Sequence, residues 1–440
     1  MSVRGTEAAG LPRSLDSGAF PIQPPANHWD ARRASGLSAL ERLAYRSNLL
    51  GADRSVANWG GGNTSCKTIE VDFRGRPTPV LWVKGSGSDL ATIRPDQFTG
   101  LRMDDLLPLL DREWMADEDL VNYYEHAGLR PRQPRASIET PLHSMLAFSH
   151  VDHTHPDAII ALCGAPGGRA LADRLWDGAV IWVDYERPGF ALGKKIALAV
   201  RERPDATCVL MAKHGLVTWA DTDEECYART IGTIGRAAEA LAERADRRRV
   251  FAVGGQHPSV SRQALVAALP ALRGAMSQRQ PMVLRLDTSH IARAFASRSD
   301  VAELASAGPA CPDHLVHTRP WPLVLDAAAL GDDADSLARA FRDGVTDFEK
   351  RYAAYFARNA GGADVAMRDP APRVVLLPGV GVVNAGPEAS QAAVVASLYE
   401  RAIAVLSATA GLDGFAPLTE AETFDVEYWP MELYKLSLLP

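Results

Sequence analysis

The chain has 440 residues, 47% hydrophobic and 23% charged, a composition of ordinary globular proteins at a length that suits two domains. A net charge of −7, with the arginines spread along the chain, argues against a general nucleic-acid surface. Five scattered cysteines with no CxxC pair read as reduced thiols of a cytoplasmic protein, and no stretch has the apolar length expected of a membrane span.

The first 29 residues, rich in Gly, Pro, Ala and Ser without an apolar core, read as a flexible or surface-draped arm. Leu40, Leu43, Ala44 and Leu50 recur at near-helical spacing and predict an amphipathic helix over 38–50. Gly60-Gly61-Gly62 then turns the chain, and Val80 to Lys84 reads as a short buried strand ending in a second glycine turn, Gly85-Ser86-Gly87-Ser88. A helix is predicted over 138–149 with Leu142, Met145 and Leu146 inward, a strand over 151–155 and a helix from Ala158. Thr207 to Ala212 is a strong strand running into Lys213-His214-Gly215 and continuing past the turn through Trp219. An N-capped helix starts near Asp221-Thr222-Asp223-Glu224 and extends to Arg249, and 251–258 is a plausible linker. Val375-Leu376-Leu377-Pro378-Gly379-Val380-Gly381-Val382-Val383 then echoes 209–217, with Val380 at the position of His214. The echo reads either as a degenerate partial duplication or as the chance likeness of two strand-glycine-strand-helix units.

His153-Thr154-His155 carries the chemistry. On a strand, side chains two apart share a face, so two imidazoles stand together as a divalent transition metal requires. His214, before a glycine at the end of an apolar strand, would be a third ligand, leaving an open position of the kind found in catalytic sites. Neutral imidazoles suit Zn2+, with Mn, Co or Fe also compatible. Glu139 is either a first-turn carboxylate on a helix capped by Ser137, or a base held against the metal. His143 and His150 read as structural. The two glycine turns present N–H groups and hydroxyls able to cradle a phosphate, with Ser137 adding a hydroxyl, although such turns are usually only turns.

Gly62-Asn63-Thr64-Ser65, Ser86-Gly87, Ser137-Ile138-Glu139, His143, His153-Thr154-His155-Pro156 and Lys213-His214-Gly215, in this order between about Leu37 and Ala245, resemble the class II (zinc-dependent) aldolase/adducin family. Further on, Gly308-Pro309 to Asp313 and Phe424 to Pro430 are similar to the aldolase portion of bifunctional rhamnulose-1-phosphate aldolase/lactaldehyde dehydrogenase proteins. The resemblance implies that His153, His155 and His214 are the metal ligands and that Glu139 is the acid/base. It makes Gly62, Asn63, Ser86 and Gly87 the phosphate-binding loops, with Ser137 beside them. There are departures. Glu139 and His153 are closer in sequence than in the single-domain sugar aldolases, and Ile138 stands where a second hydroxyl is expected. The family's proton-donating tyrosine has no clear counterpart; Tyr185 is in the neighbourhood, with an aromatic core role an equal alternative.

By the same resemblance, an α/β fold follows: a three-layer α/β/α domain with a central mixed sheet over 30–250, preceded by the 1–29 arm and followed by a second α/β part over 256–440. The implied activity is metal-dependent, reversible cleavage of a ketose 1-phosphate, rhamnulose 1-phosphate or a relative of it. The products would be dihydroxyacetone phosphate and an aldehyde such as lactaldehyde, through a metal-stabilised enediolate. A sugar-phosphate 4-epimerase or a non-catalytic adducin-like scaffold is the alternative. The expected partner is a small-molecule sugar phosphate, not nucleic acid or membrane, and the expected assembly a homo-oligomer, either a tetramer or a pseudo-fourfold dimer. Because the sequence ends at Pro440, the dehydrogenase activity of the bifunctional proteins is expected to be absent.

Overall fold

A computed structural model describes residues 19–252, 254, 260–362 and 365–437. The helix Ala39–Ala52 opens with a reciprocal capping box: the Ser38 hydroxyl accepts the Glu41 N–H, and the Glu41 carboxylate accepts the Ser38 N–H. Gly60 and Gly62 hold φ of +71° and +65°, and this left-handed backbone brings the chain into β1 (Asn63–Val71). β2 (Pro77–Lys84) and β3 (Phe98–Arg102) add antiparallel on one side of β1, and β4 (His150–Thr154) on the other. With β5 (Val180–Val183), β6 (Cys208–Met211) and β7 (Gly215–Ala220) they make a seven-stranded sheet, order β3-β2-β1-β4-β7-β6-β5. Only the β5–β6 pair is parallel, so the sheet is mixed. Alternation on β6 defines the layers. Cys208 and Leu210 pack with Ile159, Ala161, Ile231 and Ile234 from the helices Asp157–Gly164 and Asp223–Arg244. Val209 and Met211 face the opposite way, onto Leu142, Leu192 and Ile196.

A second sheet contains β8 (Val283–Asp287), β9 (Leu323–Val324), β10 (Val374–Leu377) and β11 (Gly381–Gly386), in the order β8-β11-β10-β9. Order and sense repeat the β4-β7-β6-β5 part of the first sheet, with the parallel pair again at the end. The registers coincide too. Met211 pairs with Gly215 as Leu377 does with Gly381, and Thr154 pairs with Leu216 as Asp287 does with Val382. Lys213 and Gly379 occupy the same left-handed turn position, φ +56° and +79°. A Cβ on Gly215 would lie 2.4 Å from Thr154 O, and one on Gly381 2.1 Å from the equivalent Asp287 O. The echo seen in the sequence is therefore a repeated topology, and its register maps His153, His155 and His214 onto Leu286, Thr288 and Val380. The halves meet through the helix Ala389–Ala410, whose buried Arg401 pairs with Asp157 (3.1 Å).

Several elements differ from expectation. The helix expected over 138–149 is the five-residue Thr140–Ser144: Glu139 takes the N-cap position, and the chain after Met145 straightens to enter β4. The long helix ends at Arg244, where Ala245 turns extended (ψ 132°), and a short helix, Arg247–Val250, restarts behind an Asp246 cap. The segment after Gly215 does not prolong the preceding strand; it folds back as its antiparallel neighbour. Ala389–Ala410 is, by length and composition, apolar enough to cross a membrane, contrary to expectation; 72% of its apolar window is buried in the fold. It packs against β8 and β11 of the second sheet and against the helix Asp157–Gly164 of the first half, and burial on both sides accounts for its apolar composition. Of the expected arm, 1–18 lie outside the described residues, while Phe20 and Ile22 are buried against the first half. Most of the expected linker, residues 253 and 255–258, also lies outside them.

Candidate metal centre and its surroundings

The β4 register aligns the site. His153 sits opposite Asn63 of β1 on one side and opposite Val217 of β7 on the other, and His155 follows at the strand's end. His214 occupies the tight β6–β7 turn, which Gly215 lets approach the backbone of Thr154. One nitrogen of each of the three imidazoles lies within 4.8 Å of the others, and all three residues are buried.

Hydrogen bonds set two of the tautomers. His153 donates from Nδ1 to Leu216 O (3.0 Å), and His155 from Nδ1 to Asp313 Oδ2 (2.5 Å). Their Nε2 atoms therefore present lone pairs, and they face each other at 3.0 Å. Two such acceptors repel unless a proton or a metal cation lies among them. Glu139 Oε1 stands 3.3 Å from His153 Nε2 and 3.4 Å from His214 Nε2; it is buried and receives no hydrogen bond, and His214 Nδ1 is likewise without a partner. Buried polar atoms left in this state are costly, so the donor set fits a divalent cation. Burial pushes His214 down to about 4, which keeps it a neutral donor. Burial would raise the Glu139 carboxyl; without a cation, a proton taken up by His153, together with the His214 ring, outweighs burial and holds the carboxyl well below its usual range.

Behind Glu139 runs a polar relay. Asn63 Nδ2 donates to Glu139 Oε2 (2.7 Å) and to Ser137 Oγ (3.2 Å). Burial holds His143 well below its usual value, so it is neutral. Its Nε2–H donates to Asn63 Oδ1, and its Nδ1 accepts from the Ser65 hydroxyl (2.7 Å). Every link has one donor and one acceptor. His143, expected to be structural, thus belongs to the chain that orients Glu139, and Asn63 faces Glu139 directly.

The glycine turns wall the same pocket. Gly60, Gly61, Gly62, Ser86, Gly87 and Ser137 line it together with Glu139, His155 and His214. Much of their N–H capacity is already engaged: Gly60 donates to Asp89, Gly61 to Asn58 O, Gly85 to Gln97 O and Ser86 to Arg135 O. A bridge between Gly85 and Ala136 brings the Ser137–Glu139 segment against this turn. Three charged lining residues are not among the expected site residues. Lys84 closes an apolar strand, and its ammonium donates to Gly60 O and Gly62 O (2.9 Å each). Asp313 and Glu432 come from the second half. Tyr185 does not line the pocket; its ring packs with Leu315, Leu418 and Val426, and burial raises its hydroxyl.

The chain belongs to the class II aldolase/adducin family: residues 41–241 match the class II aldolase and adducin N-terminal domain, and residues 263–436 match the second domain of class II aldolases. Among curated proteins it is similar to the uncharacterized oxidoreductase YuxG of Bacillus subtilis (strain 168), 46% identical over 416 residues. That alignment covers 94% of this chain and 60% of the relative, so the chain spans less than two thirds of that protein. Among solved structures it is similar to the N-terminal class II aldolase domain of a conserved protein from Thermoplasma acidophilum: 35% identity, 50% of this chain and 98% of that one, TM-score 0.45. It is also similar to L-fuculose-1-phosphate aldolase from Thermus thermophilus: 18% identity, 46% of this chain and 94% of that one, TM-score 0.30.

Proposed function

We propose that the protein is a divalent-metal aldolase that reversibly cleaves a ketose 1-phosphate of the rhamnulose type, with His153, His155 and His214 holding the cation and Glu139 as acid/base. The observation that carries this reading is the pair of Nε2 acceptors facing each other at 3.0 Å beside a Glu139 oxygen that receives no hydrogen bond. Nitrogen donors of this kind suit Zn2+. A bound cation supplies Lewis-acid polarisation of a carbonyl oxygen. Glu139 removes the proton from the carbon next to that carbonyl in the synthesis direction and returns it in cleavage. The Asn63–His143–Ser65 relay holds the Glu139 carboxylate in one orientation for that transfer. The test is metal analysis of the purified protein with a cleavage screen over ketose phosphates, using Glu139→Gln as control. Stoichiometric metal, aldehyde release and a drop of about 10²–10⁴ in rate for the variant are expected. A protein that takes up no metal and cleaves no ketose phosphate with added Zn or Mn refutes the reading.

A second reading of the substrate's far end rests on the pocket walls. The acidic residues Asp313 and Glu432 line the cavity, and Lys84 directs two hydrogen bonds to backbone carbonyls. An uncharged polyol end meets less repulsion there than a phosphate. Assaying each ketose with and without its phosphate separates the two readings.

A further inference from the structure

We propose that Asp313, a residue of the second half, is a positioning residue for the metal centre of the first: its carboxylate fixes the tautomer and orientation of His155. This rests on the reading of His153, His155 and His214 as metal ligands. Three observations carry it. The Nδ1–H of His155 donates to Asp313 Oδ2 at 2.5 Å, which turns the lone pair of Nε2 toward His153. Ligand imidazoles are commonly held this way, by a carboxylate on the far nitrogen that also raises their basicity.

The approach of Asp313 is built into the first half. A Cβ on Gly61 would lie 2.1 Å from Asp313 Oδ2, so only a glycine at 61 admits the carboxylate. Flanking contacts hold the segment in register: Asn58 Nδ2 donates to Cys311 Sγ (3.4 Å), and the Trp59 ring meets the His317 ring edge-on at 5.8 Å. The Asp313 side chain is 13% exposed, so water weakens its bond little.

The third observation is the repeated topology. The second half carries Leu286, Thr288 and Val380 where the first has its three histidines. That half has no triad of its own at these positions, and it contributes a carboxylate to the triad of the other. The metal centre is thus a composite of both halves.

The experiment measures Zn2+ affinity of the full chain by competition with a chromophoric chelator, for wild type, Asp313→Asn, Asp313→Ala and Gly61→Ala. Asparagine keeps the volume and an acceptor oxygen and removes only the charge, so a purely structural role predicts wild-type affinity for it. The expected result is a loss of roughly tenfold for Asp313→Asn and nearer a hundredfold for Asp313→Ala. Gly61→Ala, which leaves Asp313 in the sequence but displaces it, is expected to weaken Zn2+ binding likewise, and it decides the matter if Asp313→Ala does not fold. Wild-type affinity in Asp313→Asn and Gly61→Ala overturns the proposal while leaving the metal reading intact. A wild-type protein that binds no Zn2+ overturns both.

Discussion

Replacing Asn63 by aspartate tests the relay with a change of one atom. The amide nitrogen of Asn63 lies 2.7 Å from Glu139 Oε2; in Asn63→Asp a carboxylate oxygen takes its place. Two unit charges at that separation repel by about 6 kcal/mol at an effective dielectric of about 20, equivalent to roughly four pH units. The pair avoids this by keeping one proton between its two carboxylates at neutral pH. The sign follows: the fully ionised pair appears only above a raised apparent pKa, so the base is withheld below it and released as pH rises. Activity at neutral pH falls by about 10²–10⁴, and the rising limb of the pH–rate profile moves to higher pH. His143 keeps its acceptor in this variant, so folding is little affected. Asn63→Ala differs: it leaves the buried His143 N–H and Glu139 Oε2 without partners, costing about 2–4 kcal/mol of stability, with no alkaline shift of the limb. The assay is kcat/KM for the ketose found in the screen, measured from about pH 6 to 10, with metal content checked for each variant. Asn63→Asp with the wild-type rate and an unmoved limb would refute the relay.

The paired glycines give a stability comparison. Gly215→Ala and Gly381→Ala each drive a methyl into a backbone carbonyl and are each expected to cost about 1–3 kcal/mol by chemical denaturation; only Gly215→Ala, adjacent to His214, should also weaken Zn2+ binding. Arg46 is fully buried and joins Asp152 (3.0 Å), Asp223 (2.6 Å) and Ser65 O (2.8 Å). Arg46→Ala leaves two poorly compensated carboxylates inside the fold and should destabilise by about 3–5 kcal/mol, whereas Arg94→Ala, which breaks an exposed pair with Asp96, should change stability by less than about 1 kcal/mol. Chelation should lower the thermal midpoint of the wild type, since free metal at a hundred times its Kd adds about 2.7 kcal/mol, and should leave His153→Ala unmoved.

Period and spacing sufficed for some elements and failed for others. The two-residue spacing of His153 and His155 indicated their proximity because strand geometry is local, and Gly215 marked a tight approach. β1 escaped because its described outer half alternates partly exposed residues with exposed Ile69 and Val71, so no apolar face announces a strand. The pattern over 138–149 predicts too long a helix because Leu142, Met145 and Leu146 are buried whether or not the backbone there is helical. The role of His143 depends on Ser65 and Asn63, more than seventy residues away in sequence, and Asp313 lies 158 residues from His155. No spacing rule reaches such pairs, since only tertiary folding brings them together.

The repeat separates two requirements that coincide at Lys213-His214-Gly215. A glycine is needed wherever this hairpin crosses close over its neighbouring strand, because a Cβ at Gly215 or Gly381 meets a carbonyl oxygen in either half. A histidine is needed only where other imidazoles converge on it. In the second half the crossing remains, with Gly381 over Asp287, but Leu286 and Thr288 replace the converging imidazoles and Val380 fills the turn. The glycine therefore belongs to the backbone, and the histidine, on the proposed reading, to the metal site. The composite site extends the same logic: Gly61, facing Asp313, is a glycine whose requirement arises from the other half of the chain.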